Sequence, residues 1–222
     1  MRPPLTPSQA PSEAQLAQYL TRSGIPVTQE KVALLWRYHT FLRQRNQGQA
    51  LTRLIGFETM CLKHYVDCLL IGRFGTLPSP LLDLGTGAGF PGIPLKIWYP
   101  ELELVLAEPR PNLLRFLSDA LLHLKLKKTK LFPHRVVSQS FQEPVQGVIT
   151  RAVEPMVKTA KRTSGCLPIG GSLYFMKGPS VAPEITEMES TLGHQFELTL
   201  DQAYHIPHTP HQRRLVIWKR TT

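Results

Sequence analysis

Hydrophobic positions in this 222-residue chain change their period near residue 80. Before that point they recur at helical spacing: Val32, Leu35, Trp36, His39 and Leu42 follow the 3, 4, 7 rhythm of one helix face, with Thr28 placed to cap the segment and Glu30 in its first turn. The spacing predicts helix over residues 12–46, a break at the glycine-containing "NQGQALT", and a further helical segment from Gly56 to about Phe74. From Leu81 onward, short apolar runs alternate with helical patterns, the arrangement that gives βαβ units and a parallel sheet. "LLDL", "ELVLAE", "HRVV", "GVITRAV" and "SLYFMKG" read as five strands. Pro111, in the first turn of a helix whose face carries Leu113, Leu117, Ala120, Leu121 and Leu124, separates the second from the third. "QFELTL" and "RLVIWK" alternate like an antiparallel pair closing one edge. The predicted architecture is a disordered proline-rich tail over 1–11, a helical N-terminal extension over 12–76 and a doubly wound α/β sheet over 77–222.

Composition agrees with one well-packed domain: 42% of residues are hydrophobic and 19% charged. No apolar run approaches the roughly 20 residues of a membrane span, and the polar N-terminus lacks a signal-peptide core, so a cytoplasmic protein is expected. Cys61, Cys68 and Cys166 form neither a CxxC pair nor an even set and read as buried thiols. His205, His208 and His211 sit in "HIPHTPH", a polar loop without the Cys or carboxylate neighbours of a metal site.

Charge adds a partner. The net charge is +10 and the pI about 9.8, and the excess is segregated. Between Arg110 and Arg135 stand seven Lys or Arg and one acid, Asp119; between Gly178 and Gln212 stand five acids and no Lys or Arg. Such clustering is the electrostatic footprint of a protein that meets phosphate backbones.

The candidate chemistry begins in "LLDLGTGAGFPGIPL", Leu81 to Leu95. A strand that ends in glycines and turns into a helix lets backbone N–H groups approach a ligand. Gly85, Gly87 and Gly89 do not fit the dinucleotide pattern GxGxxG, because Phe90 stands where its third glycine belongs. Nor does a Lys-Ser/Thr pair follow, as a phosphate loop would require. The pattern DxGxG after an apolar strand instead resembles the first motif of Rossmann-like S-adenosylmethionine-dependent methyltransferases. Glu108, closing the second strand 23 residues after Gly85, is placed to meet ribose hydroxyls.

Exocyclic-amine methylation is disfavoured because the fourth strand ends "VITRAVEP" without an Asn/Asp-Pro-Pro-aromatic motif, and cytosine carbon-5 methylation because Cys166 follows Gly165 and not a proline. Nitrogen-7 of guanine carries a free lone pair, so its methylation needs orientation and desolvation and no general base. Arg151 and Arg135, at strand ends on the Gly85 side, suit stacking and bidentate pairing with guanine or phosphate.

In order along the chain, "LTRLIGFETMCLKHYVDCLL", "LLDLGTGAGFPGIPL", "EPRPNLLRFL", "GVITRAV" and "LYFMKG" resemble the ribosomal small-subunit methyltransferase G family, also called the glucose-inhibited division protein B family. The resemblance covers roughly Asn46 to Lys219, and its Phe-Pro-Gly-Ile-Pro-Leu continuation is not a general feature of Rossmann-like methyltransferases. It implies methyl transfer from S-adenosylmethionine, without a metal, to nitrogen-7 of a guanosine in the decoding region of small-subunit (16S) ribosomal RNA. The expected partner is that RNA or a ribosomal subunit, met by a monomer.

Cofactor contacts carried over by the resemblance fall on Gly85, Phe90, Val136, Val137 and Arg151, beside Gly87, Gly89 and Glu108 from the loop. It places Lys63, His64 and Asp67 in the methyl-transfer cleft, His64, Asp67 and Arg151 being catalytic. Lys63, Arg135, Lys177 and Arg213 are the expected RNA contacts. By spacing alone, Lys63 and Asp67 also suit a surface i, i+4 ion pair. The chain departs from the family at Val137, where an acid is common, and at Ala50, where Asn is usual. Two alternatives stand: a methyltransferase for another RNA or a small molecule, and an RNA-binding module that has lost its cofactor.

Overall fold

The structure, a computed structural model, describes residues 10–151 and 153–222. Most of the expected tail therefore lies outside the described residues. Helix α1 (Glu13–Arg22) opens with a reciprocal cap: Ser12 Oγ accepts from the Gln15 amide and the Gln15 side chain accepts from the Ser12 amide. Helix α2 (Gln29–Gln49) starts at Thr28, whose hydroxyl accepts from the Lys31 amide at 3.3 Å.

The helical stretch predicted over 12–46 is two helices, the second capped by Thr28 as its spacing suggests. Gly24, at φ +73°, turns the chain between them, and Pro26 has no amide with which to continue a helix. The predicted break at "NQGQALT" is also displaced. Gly48 stays helical, at a propensity penalty of about 1 kcal/mol, and α2 ends at Ala50, whose φ is +47°. Asn46 then braces the exit by holding both backbone groups of Thr52.

A second helical run follows without interruption: α3 (Phe57–Met60), a π-turn (Cys61–Val66), α4 (Asp67–Leu70) and a 3-10 turn (Ile71–Phe74). Five parallel strands come next, β1 (Leu81–Leu84), β2 (Leu104–Ala107), β3 (Thr129–Phe132), β4 (Gly147–Arg151) and β5 (Ser172–Lys177). β6 (Phe196–His205) and β7 (Gln212–Arg220) are antiparallel, and the sheet order is β3-β2-β1-β4-β5-β7-β6. Helices α5 (Gly92–Trp98), α6 (Pro111–Leu124), α7 (Met156–Thr163) and α8 (Ala182–Leu192) cover its faces. This is the mostly parallel Rossmann-like sheet with an antiparallel edge that the alternation of runs predicted.

The third strand does not lie at "HRVV". It is Thr129–Phe132, inside the lysine-rich stretch, whereas His134–Val137 forms a loop. As an edge strand β3 is only partly buried, so it carries no continuous apolar run, and the β-branched pair in "HRVV" belongs to the turn beyond it.

Period-two alternation splits the core between the two faces of the sheet. Leu81, Leu104, Leu106 and Ile149 pack with α1, α2, α5 and α6, and Leu82, Leu84, Val148, Phe175 and Trp218 pack on the α7 and α8 side. The strand order reverses at β1, which lies between β2 and β4. In open α/β sheets such a switch point opens a crevice at the carboxyl ends of the strands. Gly85 and Arg151 flank that crevice.

Candidate active site

Asp83 is the staple of the glycine loop. Its Oδ2 accepts from the Thr86 hydroxyl at 2.5 Å and the Gly92 amide at 2.7 Å, so one buried carboxylate closes both ends of the turn. Burial pushes this carboxyl up to about 6 despite those two bonds. From α2, the Tyr38 hydroxyl donates to the Ala88 carbonyl and ties the helical extension to the same loop.

The glycines divide by role. Gly87 has φ +62° and a Cβ there would meet nothing within 4 Å, which leaves its backbone open to a ligand. A Cβ on Gly89 would meet Ile93 at 2.5 Å and Tyr38 at 3.1 Å, so Gly89, expected as a cofactor contact, is spent on packing.

Two hollows meet at Arg151. One of about 440 Å³ is lined by Gly85, Glu108, Arg110, Arg135, Val136 and Arg162, among others; one of about 180 Å³ by Thr52, His64, Gly85, Gly87, Phe90 and others; Arg151 borders both. A larger hollow, about 700 Å³, runs along β3 and residues 141–145, away from every predicted site residue.

Arg151 is fixed from four directions. Its Nη1 donates to the Lys63 carbonyl at 3.1 Å and lies 3.6 Å from Asp67 Oδ2; its Nη2 is 2.9 Å from His64 Nδ1; its guanidinium sits 5.3 Å from the centre of the Phe90 ring. The π-turn supplies two of these contacts, Lys63 and His64, from one widened helical turn. His64 stacks on Phe90 with ring centres 4.1 Å apart, and its Nε2 lies 3.2 Å from Thr52 Oγ1. Because a guanidinium only donates, Nδ1 is the bare nitrogen and His64 is neutral. Burial, then the charge of Arg151, holds its pKa down at about 3.

Asp67 is buried and lines neither hollow; it accepts from the Tyr204 hydroxyl at 2.9 Å and also faces Arg213 Nε at 3.7 Å. Burial pushes its carboxyl above the usual value against the pull of Arg151 and Arg213. Lys63 makes no ion pair with it among the described residues, and the Lys63 side chain borders neither hollow.

Other predicted residues are differently employed. Glu108 is buried and bridged to Arg110 and the Gly87 amide. Val136 lines the larger site hollow, but the Val137 amide donates to Ser140 Oγ at 2.7 Å and its side chain points elsewhere, 49% exposed. Lys177, expected as an RNA contact, is turned inward, donating to Glu184 at 2.8 Å and to the Glu154 carbonyl at 2.9 Å. Arg135 is exposed at the rim. Thr52, Asp83, Arg110, Arg162 and Tyr204 join or support the site without being among the residues that the sequence points to. Only Asp83 had a local signal, as the acid of DxGxG; Tyr204 reaches Asp67 across 137 residues of chain.

A family profile described as rRNA small subunit methyltransferase G matches residues 31–216. Ribosomal RNA small subunit methyltransferase G 2 of Syntrophobacter fumaroxidans is 46% identical over 95% of this chain, which spans 42% of that protein's length. The protein of the same name from Bdellovibrio bacteriovorus is 39% identical, over 84% of this chain and 72% of its own. Among solved structures, a ribosomal protein L11 methylase from Lactobacillus delbrueckii covers 72% of this chain and 79% of its own, with 12% identity and TM-score 0.55. A glycopeptide N-methyltransferase complexed with S-adenosyl-L-methionine covers 71% and 93%, with 9% identity and TM-score 0.56. At such identities the two structures speak for the fold.

Proposed function

The chain belongs to the rRNA small subunit methyltransferase G family, and on that premise we propose that it transfers a methyl group from S-adenosylmethionine to nitrogen-7 of a guanosine in the decoding region of 16S ribosomal RNA. The observation that carries this reading is the position of Arg151, which borders both hollows at the strand switch point and is held rigidly there.

The residues present fit the methyl donor. Gly87 leaves open space where a side chain would stand, Glu108 ends β2 beside it, and the apolar Val136 offers a surface for a purine. Bound S-adenosylmethionine supplies an electrophilic methyl group. The protein's part is orientation: Phe90 and His64 wall off the smaller hollow, and Arg151 presents a fixed planar cation to the guanine. No base is required, because nitrogen-7 carries no proton. His64, neutral and with Nδ1 engaged, positions Arg151, and Asp67 does so from behind. Arg135 and Arg213 are the RNA contacts this reading retains. It takes the enzyme as a cytoplasmic monomer working on the ribosomal subunit or its RNA.

Mass mapping of 16S ribosomal RNA from cells with and without the gene tests the reading. A single guanosine should lose 14 mass units, the methylene increment, in the deletion strain. An unchanged methylation pattern would sink it.

A further inference from the structure

Glu108 has no vacant acceptor position. Oε1 accepts from the Arg110 amide at 3.0 Å and from Arg110 Nε at 2.8 Å; Oε2 accepts from the Gly87 amide at 3.1 Å and from Arg110 Nη2 at 3.0 Å. A carboxylate offers about four lone-pair sites, and all are used. Two of the four donors are backbone amides fixed by the glycine loop and by Pro109 and Pro111, which flank Arg110. The other two belong to one guanidinium fork whose side chain is 64% exposed.

Rotating that side chain away leaves each carboxylate oxygen with one amide and one open lone pair. That is the acceptor pattern that receives a vicinal diol, one hydroxyl donating to each oxygen. The fork of Arg110 therefore stands where the two ribose hydroxyls of the methyl donor must donate. The released guanidinium stays at the rim of the same hollow, beside His134 and Arg135. Both are exposed, and neither side chain is held by a hydrogen bond or ion pair among the described residues.

Building on the function proposed above, we infer that Arg110 is a displaceable RNA-binding residue: methyl-donor binding at Glu108 frees its guanidinium to pair with a backbone phosphate of the RNA. The donor's arrival thereby completes the RNA site, and RNA binds more tightly once the donor is in place.

Two measurements on the full-length protein test this. The first is the affinity for S-adenosylhomocysteine by calorimetry, for the wild type, Arg110→Ala and Arg110→Lys. Apparent affinity scales with the fraction of protein in the competent state, so Arg110→Ala should bind on the order of three- to tenfold tighter. Lysine, which cannot fork, should fall between.

The second is the salt dependence of binding to an unmodified 16S RNA transcript. With saturating S-adenosylhomocysteine, the wild-type slope of log affinity against log salt should steepen by about 0.7 to 0.9, one added phosphate contact. Arg110→Ala should show no such change. Unchanged or weaker S-adenosylhomocysteine binding by Arg110→Ala would overturn the inference, as would a wild-type slope indifferent to the ligand. Failure of the wild type to bind S-adenosylhomocysteine at all would instead remove the cofactor reading on which the inference rests, and the inference with it.

Discussion

Nη2 of Arg151 lies 2.9 Å from Nδ1 of His64, so the histidine accepts a hydrogen bond from a cation that never gives up its charge. A histidine in that position cannot take a proton without repelling its partner. Its pKa, about 3, reflects burial first and Arg151 second.

The first prediction concerns acid stability. Between pH 3 and 6.5 His64 is neutral in the folded protein and protonated in the unfolded chain. The unfolded state therefore binds the extra proton, and stability is lost as pH falls through that window. From pH 6.5 to 4.5 the wild type should lose up to roughly 2–3 kcal/mol more than His64→Asn, read from urea unfolding at the two pH values. Asp83 titrates near 6 and acts in the opposite sense, but it does so in both proteins and cancels in the difference. Equal losses would show that His64 is not held neutral.

Arg151 is both the hub of the site and the counter-charge of Asp67. Arg151→Ala should therefore impair folding as well as chemistry, by up to about 3 kcal/mol, since Arg213 and Tyr204 still attend the carboxylate. Arg151→Lys separates the two effects. It keeps the charge near Asp67 and loses the fork shared by Lys63 and His64, so the melting temperature should change little while single-turnover methyl transfer falls on the order of 100-fold. Full activity in the lysine variant would remove the orientation argument.

Gly87 and Gly89 should respond oppositely to alanine. At Gly87 the Cβ enters open space, so Gly87→Ala should lose about 1–2 kcal/mol of stability for the left-handed backbone and weaken S-adenosylhomocysteine binding beyond that. At Gly89 the Cβ meets Ile93 and Tyr38 inside the core, and the main effect should be on unfolding. Comparable loss of binding in both variants, at matched stability, would contradict the division.

Lys177 separates a structural role from an RNA-binding one. Its ammonium bridges Glu184 and the Glu154 carbonyl at the entrance to α7, where Glu184 also holds the Met156 amide. Lys177→Met should destabilise by about 1–3 kcal/mol and leave the salt slope of RNA binding unchanged. A slope reduced by about one contact would restore the RNA role.

What was legible in the sequence follows from range. The glycine loop, the Glu108 strand end and the β4 arginine are each set by residues within one βα unit, where period and turn chemistry are readable. The edge strand β3 was not legible, because half-exposed positions such as Lys130 leave no apolar signature. The uses of Lys177 and Asp67 were hidden for another reason. A charged residue at a strand end or on a helix looks the same whether it meets solvent or a partner brought from another element, and only the packing of α8 and β6 decides between them.

Tyr204 belongs to that last class, and its role can be isolated with one atom. The hydroxyl reaches Asp67 from β6, on the antiparallel edge, and donates at 2.9 Å to Oδ1, leaving Oδ2 to face Arg151 and Arg213. Removing it leaves the ring packed against Phe74 but frees the carboxylate to rotate and take one arginine at the expense of the other. Tyr204→Phe should therefore stay folded, losing about 1 kcal/mol for a single buried hydrogen bond. Its turnover should fall several-fold while S-adenosylhomocysteine affinity is kept, because Glu108 and the glycine loop are untouched. Asp67→Asn, which lacks the charge both arginines answer to, should lose turnover further without shifting that affinity. Matched losses of turnover and ligand affinity in Tyr204→Phe would mean that the contact holds up the fold and does not aim Arg151.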